Sequence, residues 1–336
     1  MYGLKQIERQ WKKRLYEVLS KLGFIHAFAD DCLYIKHENR KITLLVLVYV
    51  DDMAAVSPNG YQIILFKNIL SEDFEITDLS ELKFMLGILV THDHANRLIY
   101  LNQFVYIHQV LTCFGMQDTS PVSTLLAVKH NLTLSNSPQT EAEKQTYRDY
   151  ANGIHYLFLV GSLLFATQTR PNIQFVVSLV AQFGGNPGVA HLEAAKRILR
   201  YLKGTVNFNL ILGHRSRDIF DLVGWTDSSW TQDQDNHRST SGFIFDIAES
   251  SISWSSKKQA TVATSSVEAE YIASSNATKE AIWLCTLLTE LNFPPTTATI
   301  IHADNQGYIA LANNPVAHSH AKHIDIRHHF ICERIE

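Results

Sequence analysis

The sequence predicts a multidomain protein of mixed α and β structure, in the α+β or α/β class. Its 336 residues exceed one ordinary domain, and hydrophobic residues make up 46% of them, which is ample material for buried cores. Charged residues make up only 18%, so the composition does not indicate disorder. In the last part of the chain the predicted elements follow the order β-β-β-α-β-α, which is typical of a mixed sheet covered by helices.

The first part of the chain alternates predicted helices and strands. Apolar side chains at helical spacing predict a helix over residues 8–24 with one buried face. Two apolar runs rich in β-branched residues then predict a strand pair, and Asp51 and Asp52 stand at the tip of that hairpin. The strands of this part are predicted over residues 42–50, 53–56, 83–91 and 97–101, with a second helix over residues 61–70.

A linker and a helical segment precede the last sheet. Residues 119–138 are rich in Ser, Thr, Asn and Pro, which is the composition of a linker or an extended crossing segment. Residues 147–183 and 191–202 are predicted to be mostly helical. The last part is predicted to contain strands over residues 221–230, 240–247 and 251–255, a helix over 267–291, a strand over 298–302 and a helix that starts near Asn305.

Charge and cysteine content exclude several classes of protein. The formal net charge is -4, so the chain lacks the basic excess of a dedicated nucleic-acid binder. The four cysteines stand far apart, which indicates neither a zinc site nor a disulfide framework. The longest apolar run, residues 44–50, is too short to span a bilayer, and the first residues lack the apolar core of a signal peptide. We therefore expect an intracellular protein, cytoplasmic or nuclear, that is neither secreted nor embedded in a membrane.

Four acidic residues of the last part stand where a metal site is expected. Asp227 lies inside a predicted strand, where an unpaired charge is costly, and Asp304 falls where a strand gives way to a helix. Glu268 lies in the first turn of the long predicted helix, and Asp325 lies near the carboxyl terminus. Carboxylates held close together repel one another unless divalent cations neutralise them. Two Mg²⁺ or Mn²⁺ ions about 4 Å apart can activate water and stabilise the leaving oxygen of a phosphodiester.

Each of these acids also has a purely structural interpretation. Ser265 and Glu268 match a capping box, and Asp304 or Asn305 matches a helix N-cap. Asp325 stands among His and Arg residues, as a solvated acid would. Taken singly, most of these acids are better explained structurally. Their combined order on the β-β-β-α-β frame favours the metal site.

Several strings of the last part resemble the ribonuclease H segment of copia-type LTR retrotransposon Pol polyproteins. They are TDSSW, RSTSGFIF, ISWSSKKQATVATSSVEAEYIA, HADNQGYIALANNPVAHS and KHIDIRHHF. The resemblance implies a ribonuclease H-like fold that holds two Mg²⁺ or Mn²⁺ ions and cleaves the RNA strand of an RNA–DNA hybrid. The metal-binding and catalytic residues that it implies are Asp227, Glu268, Asp304 and Asp325, with His318 or His323 helping the product to leave. The alternative for the histidines is an ordinary surface cluster.

The first part resembles the reverse transcriptase of the same family. The string YVDD lies between YGLKQ and the downstream strings TDLSELKFMLGILV and YIHQVLTCFGMQD, in the order found in that family. The resemblance implies a partial palm and a thumb-like region that contact primer–template nucleic acid. The residues that it implicates are Asp51 and Asp52 as ligands of catalytic Mg²⁺, Gly3 and Lys5 beside the incoming nucleotide, and Leu86 and Gly87 in the region that grips the primer.

Departures from this pattern predict that the chain alone does not polymerise DNA. A two-metal polymerase needs a third carboxylate from an earlier palm strand, and that strand would precede Met1. Ile7 and Glu8 replace the Ser-Pro that follows YGLKQ in the family, which puts an acid near the nucleotide. Tyr150 to Leu159 is extra sequence relative to the family's connection, either an insertion or an artefact of the gene model.

The predicted organisation has three domains. They are a truncated reverse transcriptase over residues 1–118, a helical connection over residues 119–207 and a ribonuclease H-like domain over residues 208–336. We expect a metal-dependent endonuclease that acts on RNA–DNA hybrids, and the sequence does not predict its oligomeric state. One alternative is a non-catalytic nucleic-acid-binding protein or a decayed transposon remnant. A less favoured alternative is a small-molecule phosphatase that uses the same carboxylates.

Overall fold

The computed structural model describes residues 5–127, 132–213, 221–231 and 233–312. The chain divides into two compact units: Met1–Met85 with Ala281–Ala298, and Leu86–Glu280 with Thr299–Glu336. The predicted class is confirmed, since the structure mixes helices with several sheets. Within the described residues, no helix is both long enough and apolar enough to cross a membrane.

The first unit is built around a four-stranded antiparallel sheet. In chain order its elements are helix α1 (Lys5–Lys21), strands β1 (Phe24–His26), β2 (Leu33–Glu38), β3 (Lys41–Tyr49) and β4 (Asp52–Val56), helix α2 (Gly60–Asp73) and strand β5 (Phe84–Met85). The sheet order is β1-β2-β3-β4. Alternate residues of a strand point to opposite faces, so Leu44 and Val46 of β3 turn to one face together. There they are buried with Leu19 of α1 and Phe66 of α2.

The other face of this sheet is covered by the last turns of a long helix, α8 (Ser266–Glu290), and by the residues that follow it. Leu33 and Ile35 of β2 are buried on this face and pack with Leu287 and Leu291. Residues more than 240 positions apart therefore share one apolar layer.

Hydrogen bonds fix the end of α8 on the same unit. The Glu290 carboxylate accepts from the backbone N–H of Phe28 at 2.7 Å and from that of Ala29 at 2.8 Å. The indole Nε1 of Trp283 donates to the carbonyl of Ala29 at 2.8 Å. Helix α8 therefore satisfies three backbone groups of the loop between β1 and β2.

The second unit begins with two strands and a group of helices. These elements are strands β6 (Ile88–Asp93) and β7 (Leu98–Asn102), helices α3 (Phe104–Cys113), α4 (Glu141–Ala151), α5 (Tyr156–Ala166), α6 (Gln174–Ala181) and α7 (Val189–Gly204), and strand β8 (Leu210–Leu212). The helices share one apolar core, in which Leu163 of α5 and Ile198 and Leu199 of α7 are fully buried. The helical middle of the chain is therefore as predicted.

The segment from Tyr150 to Leu159, which the sequence indicated as extra, is part of this core. It forms the end of α4 and the start of α5. Tyr156 and Leu159 are buried, and the Tyr156 hydroxyl donates to the carbonyl of Val180 at 2.7 Å. Deleting the segment would therefore remove core contacts between α5 and α6.

Basic side chains of α7 hold the segment that follows α3. Arg200 Nε donates to the carbonyl of Ser120, and Lys203 Nζ donates to the carbonyl of Thr119, both at 2.7 Å. Arg197 makes a similar bond to the carbonyl of Thr124 at 3.1 Å. Hydrogen bonds from α7 therefore hold the start of the predicted linker against this helix.

A four-stranded mixed sheet completes the second unit. Its elements are strands β9 (Leu222–Ser229), β10 (Thr240–Ile247) and β11 (Ser250–Lys258), the first turns of α8, strand β12 (Ile300–His302) and helix α9 (Gln306–Ala312). The sheet order is β11-β10-β9-β12, with antiparallel pairing except that β12 runs parallel to β9. The order of elements along the chain is the predicted β-β-β-α-β-α.

His191 is a buried polar residue in the first turn of α7. Its Nδ1 accepts from the backbone N–H of Gly188 at 2.9 Å, so Nε2 carries the proton and donates to the carbonyl of Thr133 at 3.0 Å. The ring stacks on Phe183 with centroids 3.9 Å apart. Burial lowers the pKa of His191, because an imidazolium there would lose its hydration.

Acidification is expected to destabilise the second unit through His191. The pKa in the folded state lies below the ordinary value of about 6.5, so the unfolded chain takes up the proton first. The stability from the neutral ring is complete above that ordinary value and is lost as the pH falls through the folded pKa. We expect the melting temperature to fall less steeply from pH 8 to 5 in His191→Gln than in wild type. His155→Gln, at an exposed position, is the control and should follow wild type.

Replacement of Glu290 is expected to weaken the first unit. Glu290→Ala leaves two backbone N–H groups without their carboxylate partner, which should cost about 1–2 kcal/mol. Hydrogen exchange at Phe28 and Ala29 should accelerate by about tenfold or more. Thr289→Ala, at the exposed neighbouring position, is the control. An unchanged rate of hydrogen exchange at both amides in Glu290→Ala would show that the bonds to the Glu290 carboxylate do not stabilise the unit.

Candidate metal centre

Three carboxylates of the second unit converge at one place. Asp227 of β9, Glu270 of α8 and Asp304, which follows β12, each offer an oxygen, and these oxygens lie within 4.8 Å of one another. Asp227 and Asp304 are exposed, whereas Glu270 is 4% exposed. The cluster therefore has a buried side and a side open to solvent.

The parallel pairing of β12 with β9 brings the two aspartates together. In the register of this pair His302 lies opposite Trp225. Asp304 and Asp227 each lie two residues further on, Asp227 within β9 and Asp304 just beyond the end of β12, so the parallel register places them at the same level and on the same side. Asn305, and not Asp304, caps α9, because its Oδ1 accepts from the backbone N–H of Tyr308 at 2.9 Å.

Glu270 enters the cluster from the first turns of α8. Its Oε1 accepts a hydrogen bond from the Ser228 hydroxyl at 2.9 Å. Its Oε2 is buried and has no hydrogen-bond partner among the described residues. Burial raises the pKa of Glu270; hydrogen bonds from the side chain and the backbone of Ser228 oppose this rise, and the negative charges of Asp227 and Asp304 add to it.

The donor set fits a hard divalent cation. A buried carboxylate oxygen without a partner is costly, and like charges beside it increase the cost. A cation bound by the three acids would satisfy that oxygen and remove the repulsion. Carboxylate oxygens are the ligands that Mg²⁺ and Mn²⁺ prefer.

The structure does not bring Glu268, the predicted metal ligand, to this cluster. Its carboxylate accepts from the backbone N–H of Thr264 at 2.6 Å and from the Thr264 hydroxyl at 2.7 Å. Its own N–H donates to Ser265 Oγ at 3.1 Å, so Glu268 serves the helix N-terminus, as the structural interpretation of the sequence had it. Glu270 is two residues further along α8, about 200° around the helix axis, so its side chain reaches Ser228 of β9 and not Thr264.

One signal in the sequence weakens the assignment of Glu268 as a metal ligand but does not by itself select Glu270. Ser265 and Glu268 have the spacing of a capping box, and a carboxylate used in a cap is not free to bind a metal. Glu270 is the next acid on the helix, and Asp227 and Asp304 are the two predicted residues that the structure places beside it.

Several predicted site residues lie outside the described part of the chain. These residues are Gly3, His318, His323 and Asp325. Lys5 is the first residue of α1. The proposed roles of the four residues outside the described part therefore depend on the sequence alone.

Asp51 lies in the turn between β3 and β4, and Asp52 is the first residue of β4, so both stand at the tip of the hairpin, as predicted. Both are exposed, and Asp52 is in register with Tyr49. Val50 has a positive φ of 53°, and its carbonyl accepts from the indole of Trp11 at 2.9 Å. In the described part of the chain, neither aspartate belongs to a group of three possible metal ligands.

Leu86 and Gly87 form a two-residue turn between β5 and β6. Both have positive φ, 52° and 75°, as a type I′ turn requires. A Cβ atom on Gly87 would lie 3.1 Å from the ring of Phe165. Glycine at this position therefore has a structural reason, whether or not the turn contacts nucleic acid.

Comparison with known proteins gives a family match and relatives that align along the whole of this chain. The family described as reverse transcriptase (RNA-dependent DNA polymerase) matches residues 1–127. The Pol polyprotein from transposon TNT 1-94 of Nicotiana tabacum is 37% identical over 337 residues, covering 100% of this chain and 25% of the relative. The Pol polyprotein from transposon RE1 of Arabidopsis thaliana is 36% identical over 339 residues, covering 100% of this chain and 22% of the relative.

A shorter relative matches along most of its own length. A transposon Ty5-1 protein of Saccharomyces cerevisiae is 32% identical over 284 residues, covering 83% of this chain and 87% of the relative. The chain spans about a quarter of the length of the Pol polyproteins. The similarity therefore extends across both units, beyond the residues that the family match covers.

Substituting Glu268 and Glu270 one at a time should separate the effect on stability from the effect on metal binding. Glu268→Ala removes the bonds to Thr264 and should lower the free energy of unfolding by about 1–2 kcal/mol. Glu270→Gln removes a buried charge that its neighbours repel, so the metal-free protein should be as stable as wild type or more stable. Mn²⁺ should raise the melting temperature of wild type and Glu268→Ala, and not that of Glu270→Gln. The reverse pattern would restore Glu268 as the metal ligand.

Proposed function

The chain belongs to the family of copia-type retrotransposon Pol polyproteins, and we propose that its last domain, residues 208–336, is a ribonuclease H. The proposed reaction is the metal-dependent hydrolysis of the RNA strand of RNA–DNA hybrids. The observation that carries the proposal is the cluster of Asp227, Glu270 and Asp304.

The order of elements supports this proposal. Strands β9, β10 and β11, helix α8, strand β12 and helix α9 follow one another as a ribonuclease H-like domain requires. The acids come from a central strand, from the helix that follows the third strand and from the end of the parallel strand. In sheets with parallel strands, sites commonly lie beyond such strand ends.

The three acids would hold two Mg²⁺ or Mn²⁺ ions, and Asp325 is the further ligand that the family resemblance implies. When bound, such ions supply an activated water and stabilise the leaving oxygen of a phosphodiester. The water oxygen bonds to phosphorus as the bond from phosphorus to the 3′-oxygen breaks. The products are a 3′-hydroxyl and a 5′-phosphate, and His318 is proposed to help the product leave.

The three acids differ in burial, and this gives them different roles at the site. Glu270 is buried and held by Ser228, so it anchors the inner side of the site. Asp227 and Asp304 are exposed, so a phosphate of the substrate can approach from their side.

The first part of the chain is proposed to contact nucleic acid without extending a primer. The hairpin tip offers two exposed carboxylates, from Asp51 in the turn and Asp52 at the start of β4, and within the described residues no third possible ligand joins them. A two-metal polymerase site needs such an additional ligand. Lys5, Gly3, Leu86 and Gly87 are proposed contacts for nucleotide and primer on the strength of the family resemblance.

The proposal predicts cleavage of a labelled RNA–DNA hybrid in Mg²⁺ or Mn²⁺. Asp304→Asn removes a metal ligand and should lower the rate by about 100-fold or more, because even partners of metal ligands commonly contribute 10–100-fold. Asp221→Asn, at an exposed position just before β9, should cleave like wild type. Single-stranded RNA should remain intact.

The assay also identifies the alternatives. Wild type that binds the hybrid but cuts no faster than Asp304→Asn would indicate a passive binder or a decayed element. Hydrolysis of small phosphomonoesters without cleavage of the hybrid would indicate a phosphatase.

A further inference from the structure

We propose that Ser228 is a positioning residue, which fixes one oxygen of Glu270 so that the other is presented to the metal. This inference depends on the proposed function, because it assigns Ser228 a role at the same site. Ser228 would contact neither the substrate nor the metal.

The geometry at Glu270 leaves one oxygen held and one free. The Ser228 hydroxyl donates to Oε1 at 2.9 Å, and Oε2 has no partner among the described residues. The terminal torsion of a glutamate has a broad energy profile, so the carboxylate plane rotates easily unless a bond fixes it. The residue is 4% exposed, and water is therefore a poor substitute for the serine hydroxyl.

The backbone of α8 is held at this point by other residues. Gln259 Nε2 donates to the carbonyl of Ala269 at 3.0 Å and to Ser241 Oγ at 2.9 Å. Ser241 is in register with Ser228 on the adjacent strand. Gln259 therefore holds the start of α8 on the sheet without using the Ser228 hydroxyl.

The next residue supplies a matched control. Ser229 is also on β9, and its Oγ accepts from the backbone N–H of Thr240 at 3.2 Å. This bond lies within the sheet and does not reach Glu270. The two serines of TDSSW thus differ in the one contact that the inference invokes.

The test compares Ser228→Thr with Ser228→Val in the full chain. Threonine and valine have nearly the same shape and the same preference for strands, so the pair isolates the hydroxyl. We expect Ser228→Val to bind Mn²⁺ about 10–100-fold more weakly than Ser228→Thr, as for other groups that orient metal ligands. Isothermal titration calorimetry measures the affinity, and thermal unfolding without metal checks that both variants fold equally.

Catalysis supplies a second readout. In the cleavage assay, Ser228→Val should need more Mg²⁺ for half-maximal rate, while its KM for the hybrid stays within about threefold of wild type. Ser229→Val should match wild type in metal affinity. A purely structural role for Ser228 would lower stability without changing the metal requirement.

The outcomes separate this inference from the function on which it depends. Equal Mn²⁺ affinity of Ser228→Thr and Ser228→Val, with loss of binding in Glu270→Gln, would overturn the role of Ser228 and leave the metal site standing. Failure of wild type to bind Mn²⁺ would overturn the proposed function and this inference together.

Discussion

Mutual repulsion among Asp227, Glu270 and Asp304 is the constraint that the surrounding structure has to satisfy. Their oxygens lie within 4.8 Å of one another, and one of the three groups is buried. Like charges at this distance oppose folding unless a cation joins them, so the elements that hold them must be stable by other means. The register of β12 on β9 and the bonds of Gln259 to the start of α8 supply that stability.

Helix α8 contributes to both compact units. Its turns up to Glu280 belong to the second unit and include Glu270, whereas its residues from Ala281 belong to the first. In the first unit its end covers an apolar sheet face and satisfies three backbone groups of the loop between β1 and β2. A helix of 25 residues can do this because it is about 38 Å long, more than the diameter of a small domain.

Most long segments with a clear period were predicted from the sequence, whereas several short ones were missed; the three-residue strand β12 was predicted, and the six-residue strand β2 was not. The apolar runs of β3 and β4, the helical middle of the chain and the whole of α8 agree with their predictions. Strands β1 and β8 contain three residues each, too few for an alternating pattern to be recognised. Helix α3 was also missed, because its apolar residues are nearly continuous.

The sequence by itself determined the family, the order of the elements and two members of the acid cluster, since residue types, strand ends and motif order are local properties of the chain. Only the tertiary structure decided between Glu268 and Glu270. Both lie in the first turns of α8, and each residue turns the side-chain direction by about 100°. Which of them faces Asp227 and Asp304 depends on how the helix is rotated against the sheet, and that rotation is set by contacts with residues far away in sequence.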